Sequence, residues 1–239
     1  MAAPAYGNST NAGTTTAGGQ TSLAINVPAG VSNGDLMLCL MSHRNDPGTI
    51  TFTGWTLVPD AAASQIASAT TERMALYYRI ASSEPASYTP TWVTNRHCVL
   101  EMVYITGQDA SSSTAWLDAI SGQAETSGGT TNTIAPTLTT NGADRLLVAF
   151  FGMNASQSAL RAWTPPGTMT ERQDKTSGTG QTHTSAETCT ETFASAGATG
   201  TRTASASGGN SDNHRCAIMV AVKPPGAAAV GRVQVVWVG

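Results

Sequence analysis

The sequence predicts an all-β protein: an antiparallel β-sandwich of jelly-roll type, built from two similar halves. Three observations carry this. Charged residues are only 11% of the 239, too few to solvate helix faces. Thr (36) and Ser (22) make up about a quarter of the chain, and with Val and 24 Gly they favour strands joined by tight turns. Short apolar runs also alternate with turn signals along most of the length.

The strands follow from periodicity. In Met74–Ile80 the even positions Met74, Leu76, Tyr78 and Ile80 form one apolar face, and Arg79 lies on the other. In Cys98–Ile105 the set Cys98, Leu100, Met102, Tyr104 opposes Val99, Glu101, Val103, Ile105, and Glu101 marks the second face as the wetter one. Cys216, Ile218, Val220 and Val222 fall on the same phase as Cys98, which predicts both cysteines in the core. Leu36–Met41 and Leu146–Phe151 are continuously apolar, as in strands covered on both faces. Pro28-Ala29-Gly30, Asn33-Gly34, Asp46-Pro47-Gly48, Asn141-Gly142 and Pro165-Pro166-Gly167 punctuate these runs. No segment has a helical period; Ala61–Thr71 has room for one short turn.

An internal similarity organises the chain. Asn33-Gly34-Asp35-Leu36 resembles Asn141-Gly142-Ala143-Asp144-Arg145-Leu146, Trp55-Thr56 resembles Trp163-Thr164, and Asn95-Arg96-His97-Cys98 resembles Asn213-His214-Arg215-Cys216. Partner spacing grows from 108 (Trp55, Trp163) to 118 (Cys98, Cys216), which places about ten extra residues near Lys175–Ser185. The reading is one domain, 21–225, with halves of about 21–109 and 133–225 that cover each other's apolar faces. Residues 1–20 form an arm or a first strand. Beyond Pro224-Pro225-Gly226, residues 226–239 form a C-terminal arm whose Val233, Val235 and Trp237 make one apolar stripe. Such a strand has an open edge and either folds back on its own sheet or adds to a neighbouring subunit. These three residues are the predicted subunit or capsid contact.

Composition also bears on function. A net charge of -3 speaks against nucleic-acid binding driven by phosphate neutralisation. No run approaches the ~20 apolar residues that span a bilayer, and the start has no signal-peptide pattern. Neither nucleic acid nor membrane is therefore an expected partner, and synthesis in the cytoplasm is the default. Cys39, Cys98, Cys189 and Cys216 form no CxxC pair and read as four free thiols.

Enzyme chemistry has weak candidates. No G-x-S-x-G elbow occurs. His97 and His214 stand next to Cys98 and near Cys216, but the spacing lacks a second ligand pair, so no metal or cofactor is expected. Acids for a glycosidase pair include Asp35, Asp60, Glu72, Glu101, Asp109, Asp118, Asp144, Glu171, Asp174, Glu187 and Glu191, most of which read as turn residues or solvated strand positions. Asp35 and Asp144 read as turn-fixing residues. Trp55, Trp92 and Trp163 could stack on sugars, but read better as plugs of the sandwich ends.

Three segments in order, Val27-Pro28-Ala29-Gly30-Val31-Ser32-Asn33-Gly34-Asp35-Leu36-Met37-Leu38, Gly54-Trp55-Thr56-Leu57-Val58 and Leu76-Tyr77-Tyr78-Arg79-Ile80-Ala81-Ser82-Ser83-Glu84-Pro85-Ala86-Ser87-Tyr88-Thr89, resemble a β-sandwich module of tailed-phage and prophage virion proteins. The resemblance spans nearly all of residues 20–224, counting the degenerate second half; the arm Val230–Gly239 departs from it. It implies a bacteriophage structural protein without catalytic residues. The leading expectation is a capsid decoration (cement) protein on the virion surface. It would bind the major capsid protein or another virion protein, and itself as a homotrimer. The alternative is a head-fibre or tail-fibre adhesin binding a host glycan through loops such as Gly107–Thr131 or Lys175–Ser185. A polysaccharide-cleaving enzyme is the third reading.

Overall fold

The structure, a computed structural model, describes residues 2–68, 71–125, 131–155, 161–178, 182–207 and 214–226. In chain order the strands of the first half are β1 Ala5–Gly13, β2 Gln20–Ser22, β3 Ile25–Asn26, β4 Leu36–Arg44, β5 Ile50–Thr51, β6 Thr56–Leu57, β7 Gln65–Ser68, β8 Glu72–Ile80, β9 Ser87–Tyr88, β10 Thr91–Arg96 and β11 Cys98–Thr106. The second half contributes β12 Leu117–Glu125, β13 Asn132–Ala135, β14 Thr139–Thr140, β15 Arg145–Ala155, β16 Trp163–Thr164, β17 Thr170–Thr176, β18 His183–Phe193, β19 Gly197–Ala198, β20 Arg202–Ala206 and β21 Arg215–Val222. Among the described residues the one helix is the single turn α1, Ala61–Ser64. The chain is all-β and every strand pairing is antiparallel.

Two large sheets form the middle. The first has the order β1-β11-β4-β8-β6, with β7 also on β8; the second has the order β12-β21-β15-β18-β17. Smaller sheets flank them: β2-β10-β5 and β3-β9 in the first half, β13-β20-β16 and β14-β19 in the second. The apolar runs explain this stacking. A strand with side chains of one kind on both faces has no solvent face, so it must lie between two layers. In β4, Leu36, Leu38 and Leu40 face the second large sheet, while Met37, Cys39 and Met41 face the small sheets of their own half. In β15, Leu146, Val148 and Phe150 share the central cluster, and Leu147, Ala149 and Phe151 turn to the second half's own cluster. Three cores result: one inside each half, and one along the seam where the large sheets meet.

Two sequence expectations change in the structure. The face carrying Glu101 is not the wetter one: Val99, Val103 and Ile105 lie in the central cluster and Glu101 itself is fully buried. Three apolar neighbours on one strand face outweigh a single carboxyl. Cys98 and Cys216 are both in the core, as their phase predicts, Cys98 inside the first half and Cys216 in the seam. Ala110–Thr131, expected to be the connection between the two halves, supplies β12, which pairs along β21, with a register shift between Leu117 and Ala119, and packs on α1 and β7. Residues Ala5–Gly13 likewise pair along β11.

Candidate functional site

The predicted contact residues Val233, Val235 and Trp237 lie outside the described residues. The other candidates divide: Glu72, Glu101, Glu187, the cysteines and Trp55, Trp92 and Trp163 are buried, whereas Asp60 and Glu171 are exposed and Asp35, Asp118, Asp144, Asp174 and Glu191 are half-buried.

Most distinctive is a polar seam in the central core. β8 begins with Glu72, whose carboxylate accepts hydrogen bonds from Ser42 Oγ of β4 at 2.5 Å and from Thr184 Oγ1 of β18 at 2.9 Å. Ser42 Oγ and Thr184 Oγ1 also lie 2.8 Å apart; each hydroxyl carries one hydrogen, so all three contacts are hydrogen bonds only when the protonated Glu72 carboxyl donates one of them. Four residues further along β18, Thr188 Oγ1 donates to Glu101 of β11. Thr184, Ala186 and Thr188 alternate with His183, Ser185, Glu187 and Cys189, so the former set faces the seam and the latter faces the second half's interior. Glu187 is there fully buried, with neither oxygen meeting a hydrogen-bond partner of normal geometry among the described residues.

Burial removes water from these carboxyls and favours their neutral forms. It pushes Glu72 up to about 8, against the Ser42 and Thr184 hydroxyls and the charge of Arg44. It pushes Glu187 up to about 8 as well, helped by the charges of Glu171 and Asp174. Glu101 rises well above the carboxylate range, chiefly by burial, with Glu187, Asp174 and Glu171 adding repulsion. The expectation that these three acids sit in turns or on solvated faces is therefore corrected. The signal that could have found Glu72 and Glu101 is their place at even spacing among apolar residues.

The aromatic candidates are also interior. Trp55 stacks on Phe52 with ring centroids 4.7 Å apart, in the first half's core. Trp92 donates Nε1–H to the Gln20 carbonyl at 2.6 Å and meets the edge of His43. Trp163 donates to Ser185 Oγ at 2.7 Å. All three are more than nine-tenths buried, so none offers a face to a sugar. Of the proposed glycan loops, Gly107–Thr131 contains the nine-residue strand β12, and Lys175–Ser185 contains the end of β17 and the start of β18.

The remaining polar candidates stabilise turns and pairs. Asp35 Oδ2 accepts the Ser32 amide at 2.8 Å, as a turn-fixing residue does. Asp144 has a left-handed backbone, with φ 59°. Asp118 pairs with Arg145 at 2.9 Å and Glu191 with Arg202 at 2.7 Å. His97 and His214 each precede a strand, and their ring nitrogens meet Thr182 at 3.4 Å and Ser68 at 3.0 Å. No group of three or more His, Cys, Asp or Glu side chains is placed to hold a metal among the described residues. The four cysteines are free and buried, and burial raises all four thiols.

The cavities are modest. One, of about 100 Å³, is lined by His43, Asp46, Arg73 and Met74 among others. No family model matches the chain, and neither a curated protein nor a solved structure matches it.

Proposed function

We propose that this chain is a structural protein of a bacteriophage virion, a capsid decoration (cement) protein that attaches to the outside of the head and stabilises contacts between capsid subunits. The sequence resemblance motivates the assignment. The observation that supports it best is the inward placement of reactive side chains: Glu72, Glu101, Glu187 and the four cysteines are sealed between layers. The Glu72 carboxyl, occupied by the Ser42 and Thr184 hydroxyls between the two sheets, is closed to a substrate. It can hold two sheets in one register.

The matching strand orders of the two large sheets fit a duplicated unit. Stapling them through a shared core makes a stiff block without a hinge along the seam. In this reading the chain is not an enzyme; its partners are the major capsid protein or another virion protein, and copies of itself as a homotrimer. Nucleic acid, membrane and cofactors play no part. A standard interface of about 1,600 Å² gives specific attachment, and repetition over the shell adds avidity. The rival glycan-binding fibre module loses the aromatic platform it would need, because Trp55, Trp92 and Trp163 are interior.

The test is co-sedimentation of the purified protein with capsids that lack it. Saturable binding at a fixed ratio to the major capsid protein is expected. Absence of binding, with glycan-array binding in its place, overturns the proposal in favour of the fibre module.

A further inference from the structure

Two Asn-Gly pairs stand at matching places of the internal similarity: Asn33-Gly34 leads into β4 and Asn141-Gly142 into β15. Both asparagines are exposed. In an Asn-Gly pair the chain can attack itself. The glycine amide nitrogen closes on the asparagine side-chain carbonyl carbon, and glycine has no Cβ to obstruct the approach. The surroundings of a pair decide how fast this runs, and those of the two pairs differ in three ways.

The first is the nucleophile. The Gly34 amide donates to the Ala81 carbonyl at 2.9 Å, so its N–H is engaged. The Gly142 amide has no hydrogen-bond partner among the described residues. The second is the side chain under attack. Asn33 Oδ1 accepts the Ser83 amide at 2.7 Å, which pins the group that must rotate. Asn141 Nδ2 has only long contacts to Asp118, 3.4 Å to its carbonyl and 3.5 Å to Oδ1, beyond the usual length of a hydrogen bond. The third is charge. A Cβ at Gly142 would run into the Arg145 guanidinium, whereas one at Gly34 would meet nothing. An amide nitrogen attacks as its anion, and the carbonyl oxygen gains negative charge as the new bond forms. A guanidinium beside Gly142 favours both changes.

We propose that Asn141 is a self-modification site, where the folded chain deamidates faster than at Asn33. The Gly142 nitrogen gives its proton to solvent and bonds to Asn141 Cγ, and the side-chain nitrogen leaves as ammonia. The five-membered imide then takes up one water and opens on either side, to aspartate or to isoaspartate.

The site lies on a clasp. The Asn141 amide and Arg145 Nε both donate to Asp118 Oδ2, each at 2.9 Å, and so tie the entry of β15 to β12. Either product puts a carboxylate beside Asp118 in place of an amide donor, and isoaspartate also adds a main-chain methylene between the two donors. Like charge and altered spacing both loosen the clasp. The site is independent of the assembly reading.

The test ages the full chain at mildly alkaline pH, with a parallel sample in guanidinium chloride, and locates the mass gain of each deamidation by tandem mass spectrometry of proteolytic peptides. In the fold Asn141 should convert about tenfold faster than Asn33, the effect of one hydrogen bond that must break before Gly34 can attack. In guanidinium the two should convert at similar rates, and the aged native sample should melt below the fresh one. Equal or faster conversion at Asn33 in the fold overturns the proposal, as does an Asn141 that stays intact in the fold while the unfolded chain converts. The same tenfold ratio in guanidinium also overturns it, because the difference would then belong to the local sequence and not to the fold.

Discussion

Thr184 Oγ1 of the second half donates to the Glu72 carboxylate of the first at 2.9 Å, in the middle of the seam between the two large sheets. Ser42 closes the triangle, bonding both groups. The hydrogen bonds offset part of the cost of burying an acid, and the rest appears as a raised pKa.

Stability should therefore fall as pH rises. Glu72 and Glu187 titrate near 8 in the fold, against about 4.5 when unfolded, so the folded chain holds protons that the unfolded chain releases. The contribution is complete below about pH 4.5 and is lost as pH rises through about 8. Each group is worth at most a few kcal/mol. Thermal melts should show a higher midpoint at pH 5 than at pH 8.5, and E72Q should flatten the slope. A midpoint independent of pH across this window would contradict the assignment.

Glu101 and Thr188 should behave as a unit. T188V alone strands a carboxyl whose other oxygen already lacks a partner, and should cost about 1–3 kcal/mol. Adding E101L removes the buried polar group altogether, and the double variant should recover most of that loss or exceed wild type. Urea unfolding of the three proteins measures this coupling.

Gly122 of β12 probes how closely the halves approach. A Cβ there would lie 2.2 Å from the Ala63 carbonyl of α1 and 2.8 Å from Ile66 Cδ1. Backbone cannot yield as a side chain does, so G122A should destabilise by about 2–3 kcal/mol. A melt unchanged from wild type would mean that β12 and α1 lie further apart.

The cysteines report whether the halves unfold together. Cys39 and Cys98 lie in the first half's core, Cys189 in the second's, and Cys216 in the seam. All four are buried thiols with raised pKa, so a thiol reagent should label none in the folded protein. Across a denaturant series all four should become reactive in one transition. Labelling of Cys39 and Cys98 ahead of Cys189 would show that the halves open separately.

Much of the architecture was legible in the residues. The even phase of Met74, Leu76 and Tyr78 and the double-faced apolar runs of β4 and β15 place those strands as the structure has them. The failures share a cause. β18, His183–Phe193, is polar in composition yet buried along most of its length, because Thr and Ser satisfy their hydroxyls on neighbouring carboxyls and carbonyls. Hydrophobic periodicity cannot see such a strand. Glu101 was misread for the matching reason: its partner Thr188 is 87 residues away.

The assembly proposal is tested most directly by imaging intact particles that contain this protein. The account predicts density for a four-layered β body on the outer surface of the head, repeated with the capsid lattice and touching more than one capsid subunit. Density confined to a tail fibre would contradict it.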